Sequence, residues 1–249
     1  MSKYNEKDII TEYLLGISAK EIALKLGTYN TTIRRILLRN NIKLRNQSEA
    51  QRRVSNPFVN LNDRNVQYWL GMLAADGTIG NKEYLVSLGL QEKDLDHVLK
   101  YSSFVDVKCH KIISKKFKTI EYRVTFKSKE CNLYLRNLGI TPLKSKTLSI
   151  KMKMTPDFIR GVIDGDGYIR KNTGGIEIAT QSENFKEQLI SWFKCNNIHC
   201  TSSFNGSVFI VGVYSKKDIL KSYNLIYKDA PIRLERKYNR LYASLFRNK

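Results

Sequence analysis

Two aspartates, Asp76 and Asp166, stand ninety residues apart, and each closes an apolar run with the dipeptide Asp-Gly. The runs, 68–77 and 158–167, read as the last turns of two helices with a glycine in the middle, Gly71 and Gly161. A residue without a side chain lets two helix backbones approach closely. A pair packed there would carry both carboxylates to one end of a shared axis, where they make a site for a divalent metal. That is the equipment of phosphodiester hydrolysis, which needs a nucleophilic water and neutralised phosphate charge. Mg²⁺ takes few protein ligands and fills its shell with water and substrate oxygens, so two carboxylates suffice. A lone Asp-Gly is ordinarily a turn; recurrence after matched helices is what singles this pair out. Asp164 has no such twin, because Ala74 occupies the matching position. It is expected to cap a helix or lie beside the helix interface, and not to bind metal.

The elements that must hold these residues come as an internal repeat. The ninety-residue offset also relates Gly71 to Gly161, Ile79 to Ile169, Gln91 to Gln181 and Leu99 to Leu189. Further on it shortens by three, relating Val124 to Val211 and Asn137 to Asn224. Each copy reads as an apolar helix, a hairpin, a helix, a second hairpin and a helix: αββαββα, twice. The predicted fold class is α+β, a pseudo-twofold pair of αββαββα repeats whose two antiparallel four-stranded sheets form a saddle, preceded by a small all-helical module. The expected segments are a helix-turn-helix over 1–46, a basic linker over 47–60, a first repeat over 61–150 and a second over 151–249.

The net charge is +20, from 43 Lys and Arg against 23 Asp and Glu. Such an excess calls for a polyanionic partner, with nucleic acid ahead of a membrane surface. Ser18 and Glu21 form a capping box ahead of a second helix, and 31–39 reads as a recognition helix with Ile33, Ile36 and Leu37 buried. Arg34, Arg35 and Arg39 accompany it, and Lys43 and Arg45 form a basic arm. Arg52 and Arg53 lie in the linker. On the exposed faces of the sheets, Lys82, Lys116, Lys118, Arg123, Lys127, Arg170 and Lys171 are candidate DNA contacts. The four cysteines form no CxxC, which points to reduced thiols and against structural zinc. No run approaches a membrane span, and no signal peptide is evident at the N-terminus, so the expected location is intracellular. His97, expected on a helix surface, and His110 and His199 are assigned no catalytic role.

The two runs resemble the signature of the LAGLIDADG homing endonucleases. In that register, 69–77 and 159–167 place the closing acid on Asp76 and Asp166 and the packing glycine on Gly71 and Gly161; the first copy departs at Ala74. The resemblance covers residues 61–245. It implies a monomer that binds a long asymmetric site in double-stranded DNA and cuts both strands with Mg²⁺, in the service of intron, intein or gene mobility. It also implies that a lysine after the last helix of each repeat stands near the scissile phosphates; Lys144 and Lys237 fit that place. Gln91 and Gln181, at matched strand ends, would orient water, contact bases or cap structure. Two rivals use the same scaffold: an RNA splicing maturase, with RNA as partner, and a DNA-binding regulator without catalysis.

Overall fold

The computed structural model describes residues 4–14, 17–44, 56–114 and 119–246. The chain divides into two compact units, 1–55 and 56–249.

The first unit holds helices α1 (Glu6–Leu14), α2 (Ala19–Lys25) and α3 (Asn30–Arg39). Ile9, Tyr13, Ile22, Ala23, Ile33, Ile36 and Leu37 form its core, so the apolar face expected of α3 is the one that is buried. The Ser18 hydroxyl accepts the Glu21 amide while the Glu21 carboxylate takes the Ser18 amide, which closes the capping box at α2.

The second unit begins earlier than the sequence suggested. Residues 56–60 are not linker, because Asn56 and Phe58 are buried and the Phe58 ring packs on Phe104 at 5.6 Å. An aromatic ring has more to gain from that core than from a solvated connection.

The first repeat runs α4 (Arg64–Ala75), β1 (Thr78–Ile79), β2 (Leu85–Gln91), a 3₁₀ turn (Glu92–Asp94) leading into α5 (Leu95–Val105), β3 (Cys109–Ser114), β4 (Thr119–Lys127) and α6 (Lys129–Asn137). The second runs α7 (Pro156–Asp166), β5 (Gly167–Ile169), β6 (Ile176–Thr180), α8 (Glu183–Cys195), β7 (Thr201–Phe204), β8 (Phe209–Val213) and α9 (Lys216–Ser222), which continues as a π turn (Tyr223–Tyr227). The sheets are antiparallel, in the matching orders β1-β2-β4-β3 and β5-β6-β8-β7. In the first, Val86, Leu88, Val124 and Phe126 point into the core, and in the second Ile176, Ile178, Val211 and Val213 do. Their alternating neighbours form the opposite face, as the two-residue period of a strand requires.

One element was not foreseen. Residues 235–246 form helix α10 (Glu235–Phe246), which buries Leu241 and Lys237 and leaves Arg236 exposed. In sequence that basic content hides the apolar stripe.

The two repeats meet along α4 and α7. Asp63 caps α4 through the amides of Asn65 and Val66. Thr155 caps α7, with Pro156 in the first turn where no amide is needed. At the crossing, a Cβ on Gly71 would fall 2.1 Å from the Phe158 carbonyl oxygen, and one on Gly161 would fall 2.1 Å from the Tyr68 carbonyl oxygen. Backbone touches backbone, so no other residue type fits either position.

Candidate active site

The crossing fixes where the motif helices end. Asp76 caps the C-terminus of α4 and Asp166 is the last residue of α7. Their ends abut: a Cβ on Gly165 would come within 2.4 Å of the Ala75 Cβ and 3.2 Å of Asp76 Oδ2. The carboxylates expected together are therefore brought together, and both residues reach solvent. Each stands at the edge of its own cavity. Asp76, with Thr78, Gln91, Glu121, Arg123 and Arg236, lines one of about 470 Å³. Asp166, with Lys144, Ser145, Thr180 and Gln181, lines one of about 260 Å³.

Their surroundings disfavour charge on both carboxylates. The protein packed around Asp76 raises its carboxyl above the ordinary value, while Lys237 and Lys144 pull it back. Asp166 is pushed up to about 6, by burial first and by the charge of Asp76 second. A cation between the two would favour the charged form of both.

The two lysines stand behind the acids in comparable places. Lys144, in a 3₁₀ turn (Lys144–Lys146), donates to the Gly77 carbonyl and faces the second cavity. Lys237, on α10, is only 5% exposed and donates to the carbonyls of Ile163 and Gly165, both at 2.8 Å. Each ammonium thus holds the end of one motif helix. Burial lowers both lysines, Lys237 to about 8.

Asp164, with no twin in the first repeat, is fully enclosed. It accepts from the Tyr68 hydroxyl at 2.8 Å, the Tyr227 hydroxyl at 2.7 Å and the Leu234 amide at 2.7 Å. Tyr68 spends its proton on Asp164, so the contact of its oxygen with His97 Nε2 at 2.6 Å needs the proton on Nε2. His97 is not on a helix surface; it is 3% exposed, and burial lowers it to about 4, which keeps the ring neutral. A further bridge joins the halves beside Asp76: Arg236 donates to both oxygens of Asp94, at 2.7 and 2.9 Å. Sequence reasoning missed Arg236, Asp94 and the role of His97.

The expected DNA contacts divide by place. In the first unit Arg34, Arg35 and Lys43 are exposed, and Arg39 pairs with Glu6. Lys82 and Lys171 are exposed in hairpin connections. Arg123, Lys127 and Arg170 are paired with Glu121, Glu83 and Glu177. Arg45, Arg52, Arg53, Lys116 and Lys118 lie outside the described residues.

Among the described residues no group of three or more His, Cys, Asp or Glu could hold a metal. The carboxylates that could serve as a donor pair are Asp76 and Asp166. Two hard oxygen ligands fit a cation such as Mg²⁺ that keeps water and substrate oxygens around it. The described residues hold no helix long and apolar enough to cross a membrane.

Residues 156–192, from α7 into α8, match the family model described as a LAGLIDADG-like domain. Among solved structures, the chain is similar to the homing endonuclease I-WcaI bound to its DNA recognition sequence, at 15% identity and a TM-score of 0.55, over 81% of this chain and 96% of that one. It is also similar to I-DmoI in complex with DNA and Ca, at 17% identity and a TM-score of 0.50, over 74% of this chain and 98% of that one. No curated protein matches it in sequence.

Proposed function

From a chain that carries the LAGLIDADG fold, we propose a site-specific endonuclease that cuts both strands of duplex DNA with a divalent metal, Mg²⁺ first among candidates. The observation that carries this reading is the meeting of Asp76 and Asp166 at the ends of glycine-notched helices, each facing its own cavity. An inert structural helix pair has no use for two exposed acids set so that the charge of Asp76 disfavours that of Asp166.

Asp76 and Asp166 would hold the metal. When bound, it supplies Lewis-acid stabilisation of phosphate charge and a water that ionises near neutral pH. The protein's own share is positioning. Lys237 and Lys144 hold the carbonyls beside the two acids, so the carboxylates keep their separation when charge arrives. Lys144 also presents positive charge to the second cavity, where a phosphate oxygen would lie. One acid beside each cavity suits one cut per strand. The three-helix unit, with Arg34 and Arg35 exposed on α3, would add contacts to duplex DNA and lengthen the site.

The test is selection of cleaved duplexes from a random library with Mg²⁺, run on wild type, Asp76→Asn and Asp166→Asn. Wild type is expected to yield one long consensus with double-strand breaks, and each variant to bind that consensus without breaking both strands. Breaks by both variants at the wild-type rate would overturn the assignment. Binding without cleavage by wild type would leave a regulator.

A further inference from the structure

Each repeat carries one arginine beside its sheet's outward face that is already tied to a glutamate, Arg123 on β4 and Arg170 just after β5. On β4, Arg123 donates from Nε and Nη2 to the two oxygens of Glu121, at 2.8 and 3.0 Å. The pair lies over Gly89 of β2, which is Arg123's partner in register. A Cβ there would fall 1.8 Å from Glu121 Oε1 and 3.0 Å from Arg123 Nε. In the second sheet Arg170 Nε donates to Glu177 Oε1 at 2.8 Å, and the Tyr214 hydroxyl donates to the same oxygen at 2.9 Å. The Arg170 guanidinium lies 4.7 Å from the centre of the Tyr214 ring. Here too glycine makes the room: a Cβ on Gly212 would fall 2.3 Å from the Tyr214 ring. The arrangements differ in sequence and share a plan: a strand glycine, a glutamate, and an arginine held by one edge.

This plan decides what the arginines can bind. With Nε engaged, the free edge of each guanidinium presents parallel donors from Nη1 and Nη2, in a plane its glutamate fixes. Arg123 is 43% and Arg170 50% exposed at the side chain, so both free edges are open. A phosphate brought there would meet the glutamate's negative charge a few ångströms away. A guanine edge is uncharged, offers two acceptors, O6 and N7, and meets no such repulsion. Side chains fixed in advance by such contacts also lose little freedom on binding.

We propose that Arg123, held by Glu121 over Gly89, reads a guanine in the half-site bound by the first sheet, and that Arg170, held by Glu177 and Tyr214, reads a second guanine in the other half. The proposal rests on the DNA-binding reading of the sheets. The two arginines are not repeat-related, since Arg123 lies on β4 and Arg170 follows β5. The guanines would therefore fall at unequal distances from the centre, and the target would not be a palindrome.

The experiment is selection of bound duplexes from a random library by the full chain in EDTA, followed by competition at each position of the consensus. For wild type, replacing either guanine by adenine is expected to weaken binding about 5- to 150-fold, the range for one bidentate base contact. In Arg123→Ala the penalty at one position should fall below about twofold with the other unchanged, and Arg170→Ala should do the reverse. Glu121→Gln should flatten the preference at the Arg123 position while raising affinity for unrelated duplex, because it frees the arginine and removes a repulsive charge. Circular dichroism and thermal melting confirm that each variant is folded. Uniform weakening across all sequences with a shallower salt dependence would make these arginines phosphate contacts and overturn the proposal. So would preferences that survive both alanine variants; either result leaves DNA binding intact. No binding to any duplex would overturn both readings.

Discussion

The two motif helices are alike where they touch and unlike where they are supported. Gly71 and Gly161 exchange the same contact, each set against a carbonyl of the other helix. One turn further on, the first copy has Ala74, and the second has Asp164 anchoring Tyr68, Tyr227 and the Leu234 amide. Contact between copies constrains both sides equally, so it preserves symmetry. At that position, support from outside the pair reaches only one side. Tyr227 and Leu234 belong to the stretch that follows the last helix of the second repeat and leads to α10, so only the second copy has need of a buried acceptor at that position. The symmetric part sets where Asp76 and Asp166 sit, and the asymmetric part brings Lys237 and Arg236 up to them.

Breaking the symmetric part should do the most damage. Gly71→Leu and Gly161→Leu each drive a branched side chain into backbone that cannot move aside. Each should remove more than about 5 kcal/mol, enough to abolish cooperative unfolding of the second unit in urea. The two should be equally severe. A loss under about 1 kcal/mol for either would mean that the helices do not cross at these glycines.

The asymmetric part comes next. Asp164→Ala strands two buried hydroxyls and an amide and should cost about 3 kcal/mol in urea denaturation. Ala74→Ser, at the matching position, should stay within about 0.5 kcal/mol if its hydroxyl bonds back to its own helix. Equal effects at 74 and 164 would contradict the one-sided support described above. The bridge across the halves ranks lower. Asp94→Asn keeps the shape of the contact with Arg236 and removes its charge. Because Arg236 is partly exposed, about 1 kcal/mol is expected.

The same division governs what the sequence could reveal. The motif helices, the glycine notches and the paired acids are written locally, in spacings that repeat, so they could be read directly. That the two sheets share one strand order follows from that repetition. The network around Asp164 joins residues 63 to 96 positions apart, and nothing beside Asp164 announces them. Arg236 and Asp94 lie 142 positions apart, and each looks like an ordinary surface charge until the chain folds. His97 sits on an amphipathic helix where a polar residue normally faces water, and its contacts with Tyr68 and Trp69 explain its burial. Charge was legible as a total but not as pairs, so Arg123, Lys127 and Arg170 read as bare cations when each has a glutamate.

The smallest expected effect separates the halves by proton uptake. In metal-free protein, Asp166 is raised from the ordinary 3.8 to about 6, so between those values the native state holds a proton the unfolded chain has released. Its contribution therefore favours the folded state more as pH falls through 6. His97, in the first repeat, has the opposite sign. It is lowered from 6.5 to about 4, so over that window the unfolded chain binds a proton the native state refuses, and stability falls as pH drops. In wild type the two partly cancel between pH 6.5 and 4. Asp166→Asn removes one compensating group, so its melting temperature in EDTA should fall more steeply than wild type from pH 6.5 to 4.5. His97→Gln should reverse the balance and flatten or invert the wild-type slope. Parallel profiles for wild type and Asp166→Asn would show that Asp166 titrates as an ordinary surface acid, and that the two helix ends do not crowd their carboxylates in solution.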